Sequence, residues 1–252
     1  IFNAVNDEYA KNRLDEAIAL ITEVQLKAKK EDAYGKIEEH VLALLDGGRL
    51  NDQISKMIVE TFVEVDKKVT YQDIDDVVAQ SLLDISSAID AEVGIVQNRV
   101  KEALQNHANE PFTSEVQAII NQKVLEVTKQ NFADEASINQ LIQNGQSLID
   151  AYYQAEVEAK KEQVKTELEQ HARNPITPED IAIIDELINQ INDKNYNNQE
   201  VIAQIITDGL ARLDEQVKLD IEAKQNQVKE TLETHAKSPI STEMQKIIDD
   251  QV

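Results

Sequence analysis

Residues Gln163 to Ile176 read QVKTELEQHARNPI, and residues Gln227 to Ile240 read QVKETLETHAKSPI. A third copy, QNRVKEALQNHANEPF, runs from Gln97 to Phe112. Val100, Val164 and Val228, Leu104, Leu168 and Leu232, His107, His171 and His235, and Pro111, Pro175 and Pro239 all recur at one constant interval. Such a repeat means that one supersecondary unit is used several times, and each unit buries its apolar face against its neighbours. A more diverged copy passes through Lys36, Ile37 and His40 and gains about one helical turn, Val41 to Leu44. It returns to register at Leu50 to Ile54.

Each unit reads as three helices. The first carries the Val-Lys-x-x-Leu-x-x-His stripe and ends where Pro111, Pro175 or Pro239 forbids continuation, with Gly47 and Gly48 doing this in the first copy. Thr113, Thr177 and Ser241 then stand as caps for a second helix, with Glu115, Glu179 and Glu243 at its positive end and Pro178 suited to its first position. Spaced apolar residues follow, Val116, Ile119, Ile120, Val124 and Val127 in one copy and Ile184, Leu187, Ile188 and Ile191 in another. A short polar turn containing Tyr71, Phe132 or Tyr196, expected to close the end of the module, leads to Asp73, Asp134 or Asn198 as caps for the third helix.

Between Ala136 and His171, and between Val201 and His235, there is neither a proline nor a turn cluster. The third helix of one module is therefore predicted to run unbroken into the first helix of the next. Ile138, Leu141, Ile142, Leu148, Ile149 and Tyr152 share one face, while Val157, Val164 and Leu168 share another. A helix of roughly 38 residues would span about 57 Å and serve two bundles, so the expected architecture is an elongated all-α array of three-helix bundles. The repeat divides the chain into 1–32 (a third helix of a preceding module), 33–95, 96–159, 160–223 and 224–252 (a partial module). This is the expectation for a fragment of a longer array.

Composition agrees. Six Gly and four Pro in 252 residues leave a vocabulary of helix formers, and 41% hydrophobic with 4% aromatic residues points to thin aliphatic cores. Twenty-five basic residues against 48 acidic give a net charge of −23, which opposes nucleic acid and anionic membrane as partners. The absence of cysteine excludes disulfides, thiolate metal sites and cysteine nucleophiles. No apolar run approaches the length of a membrane span, and Ile1 to Arg13 lack the order of a secretory signal, so no membrane insertion by this segment is expected.

No catalytic, cofactor-binding or metal-binding residues are assigned, and the chain is expected not to be an enzyme. One histidine per module at an equivalent position suggests a metal or acid–base role. Positions one repeat apart on a rod are roughly 30 Å from one another, however, too far to share an ion. His40, His107, His171 and His235 are read as structural residues near helix ends. Asp180 to Asn198 is acidic and amide-rich but lacks the order of a calcium loop, and phosphate-binding glycine motifs and nucleophile elbows are absent. Gly145 and Gly209, with Ser81 in the corresponding place, indicate close helix packing, with a hinge as the alternative.

The tandem pattern resembles the three-helix modules of Gram-positive cell-wall-anchored surface proteins, and more distantly spectrin-type repeats. The order of elements in Gln163 to Ile188 is similar to that of the albumin-binding modules of streptococcal surface proteins. The resemblance implies an extracellular stalk, anchored to the bacterial cell wall through regions outside these residues, which projects an adhesive domain. A host extracellular protein is the candidate partner, a monomeric rod the expected state. The alternatives are a helical module that binds a serum or matrix protein, and an intracellular spectrin-like scaffold.

Overall fold

The computed structural model describes residues 2–109, 112–236 and 239–251, with side chains from residue 7 onward. The described residues form eight α-helices and no strand: α1 (Phe2–Leu45), α2 (Asp52–Asp66), α3 (Tyr71–His107), α4 (Ser114–Leu125), α5 (Glu135–His171), α6 (Pro178–Ile188), α7 (Gln199–His235) and α8 (Thr242–Gln251). The protein is all-α. Helices α3, α5 and α7 are each 37 residues long, begin at 71, 135 and 199, and end at 107, 171 and 235. The period of the sequence is thus the period of the long helices, which run without a break where no proline interrupts them.

By packing, the chain divides into two compact units, Ile1–Ile149 and Asp150–Val252. In the first unit α1, α2 and α3 pack on one another, and α3 continues onto α4. The residues that α3 buries advance by fours and sevens through Ile74, Val78, Ile85, Ile89, Val96, Val100 and Leu104. At about 100° per residue, the steps from Ile74 to Leu104 rotate the buried stripe by about 120°. The stripe therefore leaves the α1–α2 side gradually and reaches the α4 side, so one helix serves two cores.

The helix ends follow local chemistry. Asp46 and Gly47 take positive φ values of 45° and 86°, which end α1, and the Gly48 N–H donates to the Leu45 carbonyl. Gly48 also lies where a turn meets a turn: a Cβ there would stand 2.5 Å from the Gln130 carbonyl oxygen. Beside it, Gln130 Nε2 donates to Asp46 Oδ2 at 2.6 Å. The stop expected at Pro111 lies outside the described residues. At the start of the second helices, Thr113 Oγ1 accepts from Val116 N, Thr177 Oγ1 from Asp180 N and Ser241 Oγ from Met244 N, as the sequence predicts.

At the third helices the expectation needs correcting in one copy. Asn198 caps α7, and Asp134 Oδ1 accepts from the N–H groups of Ala136 and Ser137. In α3, however, the cap is Thr70, whose hydroxyl accepts from Asp73 N and donates to Asp73 Oδ2. Two capping-competent residues compete there, and the one three positions before the acid wins. Tyr71 does not close a module end either. It is exposed, with Lys29 Nζ 5.9 Å from its ring centre, whereas Phe132 and Tyr196 are buried as expected. On α5, Leu148 is exposed, and Tyr153 rather than Tyr152 is the buried tyrosine.

The second unit packs α6 on α7 and α7 on α8. Gly209 is buried, and a Cβ on it would lie 2.6 Å from Leu168 Cδ2 and 3.1 Å from Leu187 Cδ1. Gly145 in the first unit meets Leu104 in the same way, at 2.7 Å. Both glycines are where three helices approach too closely for a side chain, so the close-packing reading holds.

Candidate functional site

The histidines do not converge on a site. His107, His171 and His235 are the last residues of α3, α5 and α7, where a cationic imidazole complements the helix dipole. His171 Nε2 lies 3.0 Å from Asp214 Oδ1, and His40 Nε2 lies 2.8 Å from Ser86 Oγ. Each of these two contacts ties the first helix of a module to its third. Among the described residues, no group of three or more His, Asp and Glu side chains is placed to hold a metal ion.

The densest polar cluster surrounds Arg173, between α5 and α6. Its Nε donates to Asp180 Oδ2 at 2.9 Å, its Nη2 to Thr177 Oγ1 at 3.0 Å, and its Nη1 reaches Asp220 Oδ2 on α7 at 2.5 Å. Asp180 is only 1% exposed and also accepts from Thr177 N at 3.0 Å, which completes a reciprocal cap. Burial by itself pushes the Asp180 carboxyl up. The bonds from Arg173 and Thr177 outweigh it and hold the carboxyl below its ordinary value.

Each of these polar groups is engaged by protein, so the cluster fastens the loop from 172 to 177 to α6 and α7. Sequence reasoning misses it. The signal is present, because Asp180 occupies the position of Val116 and Met244 in the other copies. A carboxylate at a core position requires a cation, and Arg173 is the nearest in the chain.

The acidic and amide-rich stretch after Asp180 is likewise structural. Asn195 Oδ1 accepts from Asn192 N, Asn192 Oδ1 accepts from Lys194 N, and Asn198 caps α7. Cations elsewhere pair between elements: Lys29 with Asp75, Arg99 with Glu135 and Arg212 with Glu186 across helices, and Lys129 of the turn after α4 with Asp90 on α3.

An open, mostly apolar groove of about 320 Å³ lies between α1 and α2. It is lined by Val41, Leu42, Leu50, Ile58 and Phe62 with Glu38 at its margin. Leu42 is 69% exposed there. The groove falls in the diverged first copy, where the extra turn carries α1 beyond the length of its counterparts. No helix among the described residues is long and apolar enough to cross a membrane.

No protein-family model matches this chain, and comparison with curated proteins and with solved structures gives no match.

Proposed function

We propose that this chain is a non-catalytic stalk segment of a bacterial surface adhesin, an elongated spacer that holds a binding domain away from the cell wall. The observation that carries this reading is the set of three 37-residue helices repeating at the constant interval of the sequence. A helix shared by two bundles makes bending of one bundle against the next costly, because the unbroken backbone hydrogen bonds would have to open. A net charge of −23 keeps such a segment hydrated and discourages side-by-side aggregation. The Arg173–Asp180 cluster and the His40–Ser86 and His171–Asp214 contacts hold helices and loops to one another, which fits a spacer.

An antibody raised against the purified chain tests location and exposure together. Labelling of intact cells of the source organism, lost after protease shaving, agrees with the proposal. Labelling only after permeabilisation would place the chain inside the cell and favour a scaffold.

The groove at Leu42 and Phe62 supports a second reading, a module that binds a host serum or matrix protein. Immobilised chain that retains one such protein saturably, and loses it on Leu42→Asp, would establish that reading in place of a passive spacer.

A further inference from the structure

The groove between α1 and α2 is made by residues that the other copies lack. Helices α3, α5 and α7 end at His107, His171 and His235, whereas α1 runs on past His40 to Leu45. Of the added turn, Val41 and Leu45 are buried in the bundle, and Leu42 is left on the surface. Helix α2 is lengthened with it, to 15 residues against 12 in α4 and 11 in α6. The other copies form their helices without either extension, so Leu42 adds nothing to the core that the repeat requires.

Leu42, Ile58 and Phe62 line the groove together. Val59, 59% exposed, stands three residues before Phe62 and extends the apolar surface along α2. The free charges at the margin are of one sign. Glu38 and Glu39 stand four and three residues before Leu42, on the same face of α1, and both are exposed. Among the described residues no cation pairs with either of them. The neighbouring cations are engaged: Lys36 pairs with Asp32 and Lys56 with Glu60, and the charge of Arg49 acts on Asp134. A trough along two consecutive helices has the shape that takes a further helix, ridge into groove.

We propose that this groove docks an amphipathic helix of a partner protein, one whose apolar stripe is flanked by lysine or arginine. The proposal rests on the second reading of the function, a module that binds another protein, and specifies the segment it binds. Apolar side chains at helical spacing would cover Leu42, Ile58 and Phe62, while cations beside the stripe meet Glu38 and Glu39. Charge discriminates against the other occupants. A second copy carries the same net charge of −23, and an anionic lipid surface would bring phosphates against the two glutamates. Burial of the stripe supplies the affinity, and the glutamates supply the choice of partner.

Calorimetric titration of the whole chain with three synthetic peptides of about 16 residues, just over four helical turns, tests this. One is a leucine–lysine peptide patterned for a single apolar face, one has the same residues scrambled, and one is the patterned peptide with glutamate for lysine. The patterned basic peptide should bind one to one on the order of 10–100 µM, and the other two at least tenfold more weakly. Leu42→Asp should weaken it at least tenfold, whereas Leu125→Asp, at a comparably exposed leucine of α4, should change nothing. Reversing both glutamates, with Glu38→Lys and Glu39→Lys, should weaken the basic peptide and strengthen the acidic one. Equal binding of the patterned and scrambled basic peptides would be attraction to net charge alone and overturns the proposal. So does binding that Leu42→Asp leaves intact, or a dimer of the chain that Leu42→Asp dissolves. If the patterned peptide fails while a serum or matrix protein is still lost on Leu42→Asp, the basic helix is overturned and the binding reading stands. If the peptide binds and no such protein is retained, the docking site stands and the serum or matrix partner falls.

Discussion

The close approach at Gly209 can be separated from the helical cost of glycine by comparing it with Gly94. Both glycines lie inside 37-residue helices, so replacing either with alanine gains about 0.8–1.0 kcal/mol of helix propensity. At Gly94 a methyl group meets nothing within 4 Å, and Gly94→Ala should stabilise by about that amount. At Gly209 the same methyl group would lie 2.6 Å from Leu168 Cδ2, and Leu168 is fully buried. Displacing it should cost about 1–3 kcal/mol, so Gly209→Ala should range from neutral to about 2 kcal/mol destabilising.

Thermal melting followed by helical circular dichroism would show the difference as roughly 2–4 °C per kcal/mol in a chain of this size. A double-mutant cycle sharpens the test. Leu168→Ala alone should cost about 2–5 kcal/mol, and combining it with Gly209→Ala should recover about 0.5–3 kcal/mol, because the new methyl group partly fills the cavity. If Gly209→Ala stabilises as much as Gly94→Ala and shows no coupling to Leu168, the close-packing argument fails.

Three further outcomes follow from the polar structure. Asp180→Ala should destabilise by roughly 2 kcal/mol, less than for a fully buried pair because Arg173 is 25% exposed and keeps Asp220. Since the folded carboxyl titrates below its unfolded value, the contribution is complete above about pH 4 and disappears as pH falls through the lower folded value. Urea titrations of the two proteins should therefore converge in acid. Tyr34 is pushed up to about 12, by burial first and then by its bond to Asp66 Oδ1, and burial pushes Tyr196 up to about 12 as well. Their neutral phenols favour the folded state below about pH 10, and this is lost as pH rises toward 12. A phenolate absorbance titration should show Tyr34 and Tyr196 among the late tyrosines, and Tyr34→Phe should remove one late step. Gly48→Ala places a Cβ against the Gln130 backbone, which cannot yield by side-chain rotation, so hydrogen exchange should accelerate in both 46–50 and 128–132. Unchanged protection would mean that these turns do not pack as described.

The long helices were legible because proline is punctuation: Pro175 and Pro239 fall after His171 and His235, and the intervals between prolines leave room for unbroken segments of 37 residues. The second-helix caps were legible for a related reason, since a hydroxyl residue just before an apolar periodic run satisfies the helix's free N–H groups. Periodicity was less informative about burial at the handover between cores. Leu148 lies at the outer margin of the first stripe, about 180° from Val157 in the second, and is exposed, while Tyr153 falls between the two stripes and is buried against Tyr196 at a ring separation of 6.3 Å. A helical wheel treats a stripe as fixed, but a helix shared by two bundles rotates its stripe along its length. The Arg173 cluster was hidden for another reason. It joins residues 173, 177, 180 and 220 through a loop whose path no periodic pattern encodes, and only the apolar-to-Asp change at position 180 gave a hint.

Small-angle X-ray scattering of the 252-residue chain, extrapolated to zero concentration, tests the elongated stalk most directly. Three and a half repeats at about 30 Å each give a rod of roughly 110 Å and a radius of gyration of about 32 Å from the helical rise. A compact chain of the same length would have about 18 Å. The larger value is the expected result. The smaller one would mean that the helices fold back on one another, and the stalk would have to be abandoned.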